Sequence, residues 1–525
     1  MMVKKFNVKG VCVPHKHYMV DISDRLKKMK ALVDSEEYFV INRARQYGKT
    51  TTIAALKKYL SDEYIVILFS FQGLGAASFE TEAKFCQKLL ANIAHNLGFS
   101  TVPADYVAEW ENKEVEDFTL LSRHITKMCK DKKVVLMIDE VDKASNYRVF
   151  IDFLAILRDK YQARSMDEDI TFHSVILVGV YDIKNIKLKM IKAGTYQPVK
   201  GENINESPWN IAENYDGEMA FSAKEIVSML ASYESDHQTG MDILDVAKEI
   251  YSFTSGYPFL VSRICQYIDE KLKKDWCRQS VVKAVQLITE EPQPNTLFDD
   301  LFKNMRSNKD LSIFLYRILI ERKMFTYSQG DEIIEQGLRY AFIRIINGQV
   351  KIHNKIFEVI MISYFISKER REEKKFIDTP LDGEVVSGKH FNIELFFEKF
   401  NAHYQRNYED KDRRFLEREA TFLFLFFLQP YLNGKGFFHM QSQPNLATGK
   451  QMDVVINYGN QEYIIELKVW HGQKYQEDAY QQLIDYMGER GAEKGYLLTF
   501  DFRQKKQIKH AWIEVGDKPI LEVQV

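Results

Sequence analysis

Between Tyr38 and Asp182 short, continuous apolar runs alternate with amphipathic stretches. The runs YFVIN (38–42), YIVILFSF (64–71), KVVLMID (133–139) and HSVILVGVYD (173–182) carry too few polar positions for strands with one wet face. They predict central strands of a parallel sheet, and the helices between them, TTIAALKKYL and the one containing FLAILRDKY, predict layers covering both faces. The class implied is α/β.

After about residue 205 the strands stop, and residues 221–290 read as helices, among them FSAKEIVSMLASY and DILDVAKEIYSFT. The polar, proline-bearing EEPQPN (290–295) marks a boundary, because proline cannot continue a helix. Residues 296–367 then offer helices (LFDDLFKNM, SIFLYRILIE) followed by two strands around Asn347-Gly348, a hairpin turn signal. Helices closed by such a hairpin predict a winged helix. The run KERREEKK (368–375) reads as a solvated linker or helix end, and a last domain begins near residue 395.

Composition narrows this picture only at its edges. A chain of 525 residues is too long for one core, and 45% apolar with 28% charged residues excludes wholesale disorder. The net charge of −2 gives no global basic field, so any nucleic-acid surface must be a local patch. The five cysteines, Cys12, Cys86, Cys129, Cys265 and Cys277, show no metal-ligand spacing and are expected to be reduced thiols. No run approaches the ~20 apolar residues that span a bilayer, and the N-terminal stretch lacks the apolar core of a signal peptide. The expectation is a cytoplasmic protein with no membrane partner.

Chemistry first enters at Arg43-Ala44-Arg45-Gln46-Tyr47-Gly48-Lys49-Thr50, between the first strand and its helix. A phosphate-binding loop needs that placement, since a helix N-terminus offers free N–H groups and a positive dipole end. Lys49 is expected to reach the β- and γ-phosphates of ATP, Thr50 to ligate Mg²⁺, and Arg45, Gly48 and Thr51 to line the nucleotide. The first glycine of G-x-x-x-x-G-K-[ST] is replaced by Arg43. Asp139 and Glu140 end the apolar strand VVLMI as a Walker B pair does, Asp139 to hold Mg²⁺ through water and Glu140 to polarise the attacking water.

With both motifs in hand, the chain resembles the prokaryotic AAA-like ATPases related to signal-transduction and origin-recognition ATPases. Their arginine-rich loop, R-x-R-x-[FY]-G-K-[ST], matches Arg43 through Thr50. The resemblance extends to HYMVDIS (17–23), SPWNIA (207–212) and Gly256-Tyr257-Pro258, and it implies that Tyr18, Val20 and Pro258 are nucleotide neighbours. Arg158 is a candidate arginine finger, and Tyr181 and Asp182 are candidate sensors.

A second cluster lies in MDVVINYGNQEYIIELKVW (452–470), where two strands flank a connection at Gly459-Asn460-Gln461. Period-two alternation puts Glu466 and Lys468 on one face, and the hairpin brings Asp453 alongside. Charges that interrupt a core-like run are costly unless paired or bound to a cation. The pattern D-x12-E-x-K resembles the PD-(D/E)xK nuclease superfamily, with Met452 where that family has proline. The resemblance covers 396–525. It implies Mg²⁺ held by Asp453, Glu466 and the Leu467 carbonyl, with Lys468 acting on the nucleophile. It also implies an acidic helper, Glu417 or Glu419, on a preceding helix, and a Q-x-x-x-Y pair, Gln482 and Tyr486, on the following one. The strand GYLLTF (495–500) completes an α-β-β-β-α-β restriction-endonuclease-like order.

The organisation so predicted is an ATPase core (1–205), a helical lid (206–290), a winged-helix-like domain (291–370), a linker (371–395) and a nuclease-like domain (396–525). Two functions remain open at this point. One is an ATP-controlled, Mg²⁺-dependent nuclease acting on DNA, with homo-oligomers possible. The other is a nucleotide-controlled switch whose last domain binds nucleic acid or a partner without cutting.

Overall fold

Val134–Asp139 is buried at all six positions, as is Ser174–Gly179, which is what central strands covered on both faces require. The computed structural model describes residues 4–111, 113–180, 191, 194, 209–291, 295–372, 383–408, 413–441, 452–470, 472–503 and 509–525. The chain divides into two compact units, 1–233 and 234–525.

In the first unit the strands are β1 (Phe39–Asn42), β2 (Ile65–Ser70), β3 (Val134–Asp139), β4 (Ser174–Gly179) and β5 (Glu213–Asn214). All pairs are parallel, in the order β2-β3-β4-β1-β5. Helix α1 (Ser23–Asp34) precedes β1, and α2 (Lys49–Leu60) leaves it. Helices α3 (Glu82–Leu97), α4 (Ala104–Trp110) and α5 (Phe118–Cys129) lie between β2 and β3, and α6 (Arg148–Ser165) follows β3. Their apolar faces join the strands in one core that includes Phe71, Phe85, Trp110, Phe150, Phe153 and Trp209. The α/β class with a parallel sheet is as expected. Strands do not stop at residue 205, however. β5 pairs with β1 at Phe39 and Val40, and Glu213 and Tyr215 donate their N–H groups to the carbonyls of Tyr38 and Val40. Two residues are too short for any hydrophobic period, so only the tertiary pairing defines this strand.

The second unit opens with helices α7 (Ala223–His237, begun in the first unit), α8 (Ile243–Thr254), α9 (Pro258–Lys271) and α10 (Arg278–Thr289). Next come α11 (Thr296–Ser307), α12 (Lys309–Leu319), β6 (Phe325–Thr326), α13 (Glu332–Arg339), β7 (Ile343–Ile346) and β8 (Gln349–Ile352). The β7–β8 turn has positive φ at Asn347 (50°) and Gly348 (75°), the two-residue turn that Asn-Gly favours. Two elements here escaped the sequence pattern: β6, which pairs with β8, and α13.

Helix α14 (Lys355–Glu372) runs into the stretch read as a linker, which also carries a small hairpin, β9 (Val386–Ser387) with β10 (His390–Phe391). Helices α15 (Ile393–Tyr408) and α16 (Arg413–Leu432) follow. The last sheet holds β11 (Gly436–Gln441), β12 (Met452–Tyr458), β13 (Gln461–Val469), β14 (Gly495–Phe500), β15 (Lys509–Val515) and β16 (Lys518–Gln524). Its order is β11-β12-β13-β14-β16-β15, and α17 (Gln473–Arg490) crosses from β13 to its parallel neighbour β14. Residues Val455, Ile464, Leu483, Met487, Leu497 and Ile520 pack that helix on the sheet. GYLLTF is therefore not the closing strand. β16 pairs with β14, and β15 folds back on β16 around Gly516-Asp517, a turn signal that was present in the sequence.

Among the described residues no helix is long and apolar enough to cross a membrane, and all five cysteines are free.

Candidate functional site

The first candidate site forms where β1 and β3, separated by β4, end on the same edge of the sheet. Gly48 stands at the N-cap of α2 with φ 78°, a left-handed turn that spares glycine the steric cost a side chain would add. Lys49 opens the helix and is buried. Its Nζ donates to the carbonyls of Arg43 (2.9 Å) and Ala44 (2.8 Å), so the ammonium sits inside the loop. Burial lowers its pKa, while the carboxylates of Glu140, Asp142 and Asp139 act to raise it. The next residue, Thr50, donates its hydroxyl to Asp139 Oδ2 at 2.7 Å.

Asp139 is buried, and its other oxygen accepts from the N–H of Glu140 (2.8 Å). Glu140 adopts φ 55°, ψ 38°, a left-handed conformation that costs a residue with a Cβ about 1 kcal/mol or more. Lys49, Thr50, Asp139 and Glu140, taken from two separate motifs, thus meet at one place. A hydroxyl and a carboxylate oxygen already converging beside a buried ammonium are the donor set that a phosphate-bound Mg²⁺ uses.

One residue around this site, Asp142, escaped the sequence reading, and another, Arg43, makes contacts that the motif alone does not predict. Asp142 accepts from the N–H of Val180 (2.7 Å) and so fixes the end of β4 beside the loop after β3. Arg43 is tied to protein, not turned toward the loop interior: its guanidinium donates to the carbonyls of Asn42 (2.9 Å), Tyr215 (3.2 Å) and Gly217 (3.0 Å). The residue that replaces the motif glycine therefore anchors the chain just beyond β5.

The other residues expected around a nucleotide are more dispersed. Thr51 accepts from the Cys12 N–H at 3.2 Å, joining the N-terminal segment to α2, and Arg45 is exposed. Tyr18 and Val20 are core residues, the Tyr18 ring lying 5.1 Å from those of both Phe6 and Tyr233. Pro258 occupies the first position of α9 in the second unit. Tyr181 and Asp182 lie outside the described residues.

The second candidate site is the β12–β13 hairpin. Residues 453 and 466 are direct register partners, and 466 pairs on its other side with Leu497 of β14. Opposite residues of an antiparallel pair share a sheet face. Glu466 is fully buried, and among the described residues the one donor beside its carboxylate is the Lys468 ammonium. Lys468 Nζ forms an ion pair with it at 2.7 Å and donates to Gln482 Oε1 at 3.3 Å.

Burial raises the Glu466 pKa, with Lys468 pulling it back down, and burial lowers that of Lys468, opposed by Glu466 and Asp478. Tyr486, one turn after Gln482, is buried. Leu467 is buried and pairs with Met452 and Leu498. Glu419 on α16 is also buried, while the side chains of Glu417 and Asp453 lie outside what is described. A buried carboxylate whose one close partner is a lysine, in register with a second acidic position, fits an oxygen-liganded divalent cation.

Residues 400–504 match a family described as a domain of unknown function (DUF8371). An uncharacterized WD repeat-containing protein of Synechocystis sp. is 24% identical over 382 residues, which cover 68% of this chain and 30% of that protein, so the chain spans under a third of its relative's length. Solved structures with similar chains include the Walker-type ATPase of Pyrococcus abyssi, at 12% identity and TM-score 0.47, covering 68% of this chain and 99% of that one. The ORC2 protein of Aeropyrum pernix follows at 11%, TM-score 0.36, 66% and 95%. The RuvB Holliday junction branch migration motor of Thermotoga maritima stands at 12%, TM-score 0.31, 68% and 96%. Residues 26–329, more than half of the chain and including both the Gly48-Lys49-Thr50 loop and the Asp139–Glu140 strand end, match the family described as the AAA-like domain, and the chain belongs to that family.

Proposed function

We propose that this protein binds and hydrolyses ATP in its AAA-like module and uses that cycle to control a Mg²⁺-dependent nuclease site on DNA. In the ATPase site Lys49, released from the Arg43 and Ala44 carbonyls, contacts the phosphates together with the N–H groups that open α2. Arg45, Gly48 and Thr51 line the nucleotide, and Tyr18, Val20 and Pro258 are assigned to its base side by family resemblance alone. Thr50 and Asp139 would hold Mg²⁺, which supplies charge compensation for the leaving phosphate. Glu140 orients and polarises the attacking water.

For the nuclease, one observation carries the reading: Glu466 is fully buried with the Lys468 ammonium as its one close partner among the described residues, and it stands in register with Asp453. Asp453, Glu466 and the Leu467 carbonyl would hold Mg²⁺, which activates water and offsets charge on the phosphate. Lys468, steadied by Gln482, acts on the nucleophile and the developing negative charge. This assigns residues 396–525 to a restriction-endonuclease-like domain of the PD-(D/E)xK kind. Residues 1–205 form the ATPase core, 206–290 the lid, 291–370 a winged-helix-like unit and 371–395 the connection. DNA is the expected partner.

Purified protein incubated with plasmid, linear and single-stranded DNA plus Mg²⁺, with and without ATP, tests the proposal. Cleavage that needs metal and responds to ATP supports it. Nucleic-acid binding without cleavage under all conditions replaces it with the switch reading.

A further inference from the structure

A partly enclosed pocket opens beside the carboxylate–lysine cluster, between the end of β13, β14 and the start of α17. Its walls include Lys468, Trp470, Gly472, Gln476, Leu497 and Thr499. Three of its features favour an anion. The Lys468 ammonium has three donors; Glu466 and Gln482 account for two directions, and the amine still borders the pocket. Helix α17 spans 18 residues and begins at this pocket behind Gly472, which has φ 115° and provides no side-chain cap, so the first-turn N–H groups and the positive end of the dipole lie at its wall.

Thr499 supplies the third and independent feature. It is 2% exposed, and its hydroxyl has no hydrogen-bond partner among the described residues. A buried hydroxyl left without a partner costs stability, so its place on a pocket wall calls for a ligand. Gln476 contributes no donor, because its amide nitrogen is committed to Glu522 and to the Tyr480 hydroxyl. Trp470 and Leu497 add apolar surface to its walls.

We propose that this pocket is a phosphate subsite, in which Thr499 and the N-terminus of α17, with the Lys468 charge at its edge, bind the nucleic-acid phosphate next to the one cleaved at Asp453, Glu466 and Lys468; the inference rests on the nuclease reading. Thr499 is a binding residue here, donating to a phosphate oxygen, and no bond is made or broken at it.

Thr499→Val tests this in the full-length protein, with Thr499→Ser as the variant that keeps the hydroxyl. Valine replaces an unsatisfied hydroxyl with a methyl, so the unfolding midpoint should hold or rise. KM for a single-stranded oligonucleotide should rise about tenfold with the loss confined to KM, and serine should restore it. With Ca²⁺ in place of Mg²⁺, a fluorescent oligonucleotide should bind about tenfold more weakly to the valine variant than to wild type. Inorganic phosphate is the control arm: stabilisation of wild type but not of the valine variant, without an oligonucleotide effect, would identify a free phosphate as the occupant and overturn the backbone assignment. Equal KM and equal oligonucleotide affinity in wild type and Thr499→Val overturns the subsite while the nuclease stands. Cleavage that survives Asp453→Ala overturns the nuclease reading instead, and the Ca²⁺ binding arm then still decides the pocket.

Discussion

The Thr50 hydroxyl donates to Asp139 Oδ2 across 2.7 Å, although 89 residues separate them in the chain. β4 lies between the strands that carry the two motifs, so the contact depends on the order β3-β4-β1 and on both loops leaving the same sheet edge. It brings a hydroxyl from one motif and a carboxylate from the other together beside Lys49, and the ATPase predictions follow from that arrangement. Lys49→Ala should weaken ATP binding by about tenfold or more, the value of a charge-assisted contact to phosphate, as read by calorimetry. Glu140→Gln should leave binding intact and slow hydrolysis about 100-fold, since only the group acting on water is lost. Equal turnover by Glu140→Gln and wild type would remove Glu140 from the reaction.

Arg43 offers a test in the opposite sense. Restoring the motif glycine with Arg43→Gly should destabilise the first unit, because the Tyr215 and Gly217 carbonyls lose their donor. The expected cost is about 1–3 kcal/mol, seen as a lower thermal unfolding midpoint. A midpoint at or above that of wild type would show that water replaces the guanidinium at no cost.

At the hairpin, Asp453→Ala and Glu466→Ala should each abolish Mg²⁺- or Mn²⁺-dependent cleavage while the fold persists by circular dichroism. Lys468→Ala should keep metal binding, measured by Mn²⁺ titration, yet cut the rate about 100-fold, as expected for a group acting on the nucleophile and transition state. If both carboxylate variants retain full Mn²⁺ affinity, the metal lies elsewhere.

A pH prediction comes from Glu358 on α14, which faces Arg322 at 3.8 Å and Lys355. Burial pushes its carboxyl up to about 7 from an ordinary 4.5, against the pull of the two cations, and Lys355 is itself pushed down to about 8 by burial. A raised folded pKa means the native state binds more protons between pH 4.5 and 7. The contribution is fully present below the lower value and is lost as pH rises through the upper one. Across that window wild type should lose about 1–3 kcal/mol relative to Glu358→Gln, which cannot titrate. Parallel stability profiles for the two proteins would refute it.

Much of this molecule was legible in the residues alone. Four of the five strands in the first sheet were readable because each is a parallel strand with a continuous apolar run, although β2, expected to be central, lies at the sheet edge with three of its six positions only partly buried. The Gly48-Lys49-Thr50 loop and the Asp139-Glu140 strand end were readable for a related reason: phosphate chemistry demands those residue types where a strand ends. Elements whose existence depends on a partner were harder to read. β5 has two residues and no period of its own, and β6 likewise exists through its pairing with β8.

The same division holds at the sites. Composition and spacing determined which residues carry charge into a core-like strand, Glu466 and Lys468 among them, and local turn chemistry set the β12–β13 register. Tertiary structure alone decided that Arg43 anchors the chain beyond β5, that Asp142 holds the end of β4, and that Thr499 comes to share a pocket with Lys468. Local sequence can specify a side chain's chemistry and its period along one strand, because both are set within a few residues. Which unpaired donor meets which acceptor depends on the order of strands in the sheet, and that is settled only when distant segments bury their apolar faces together.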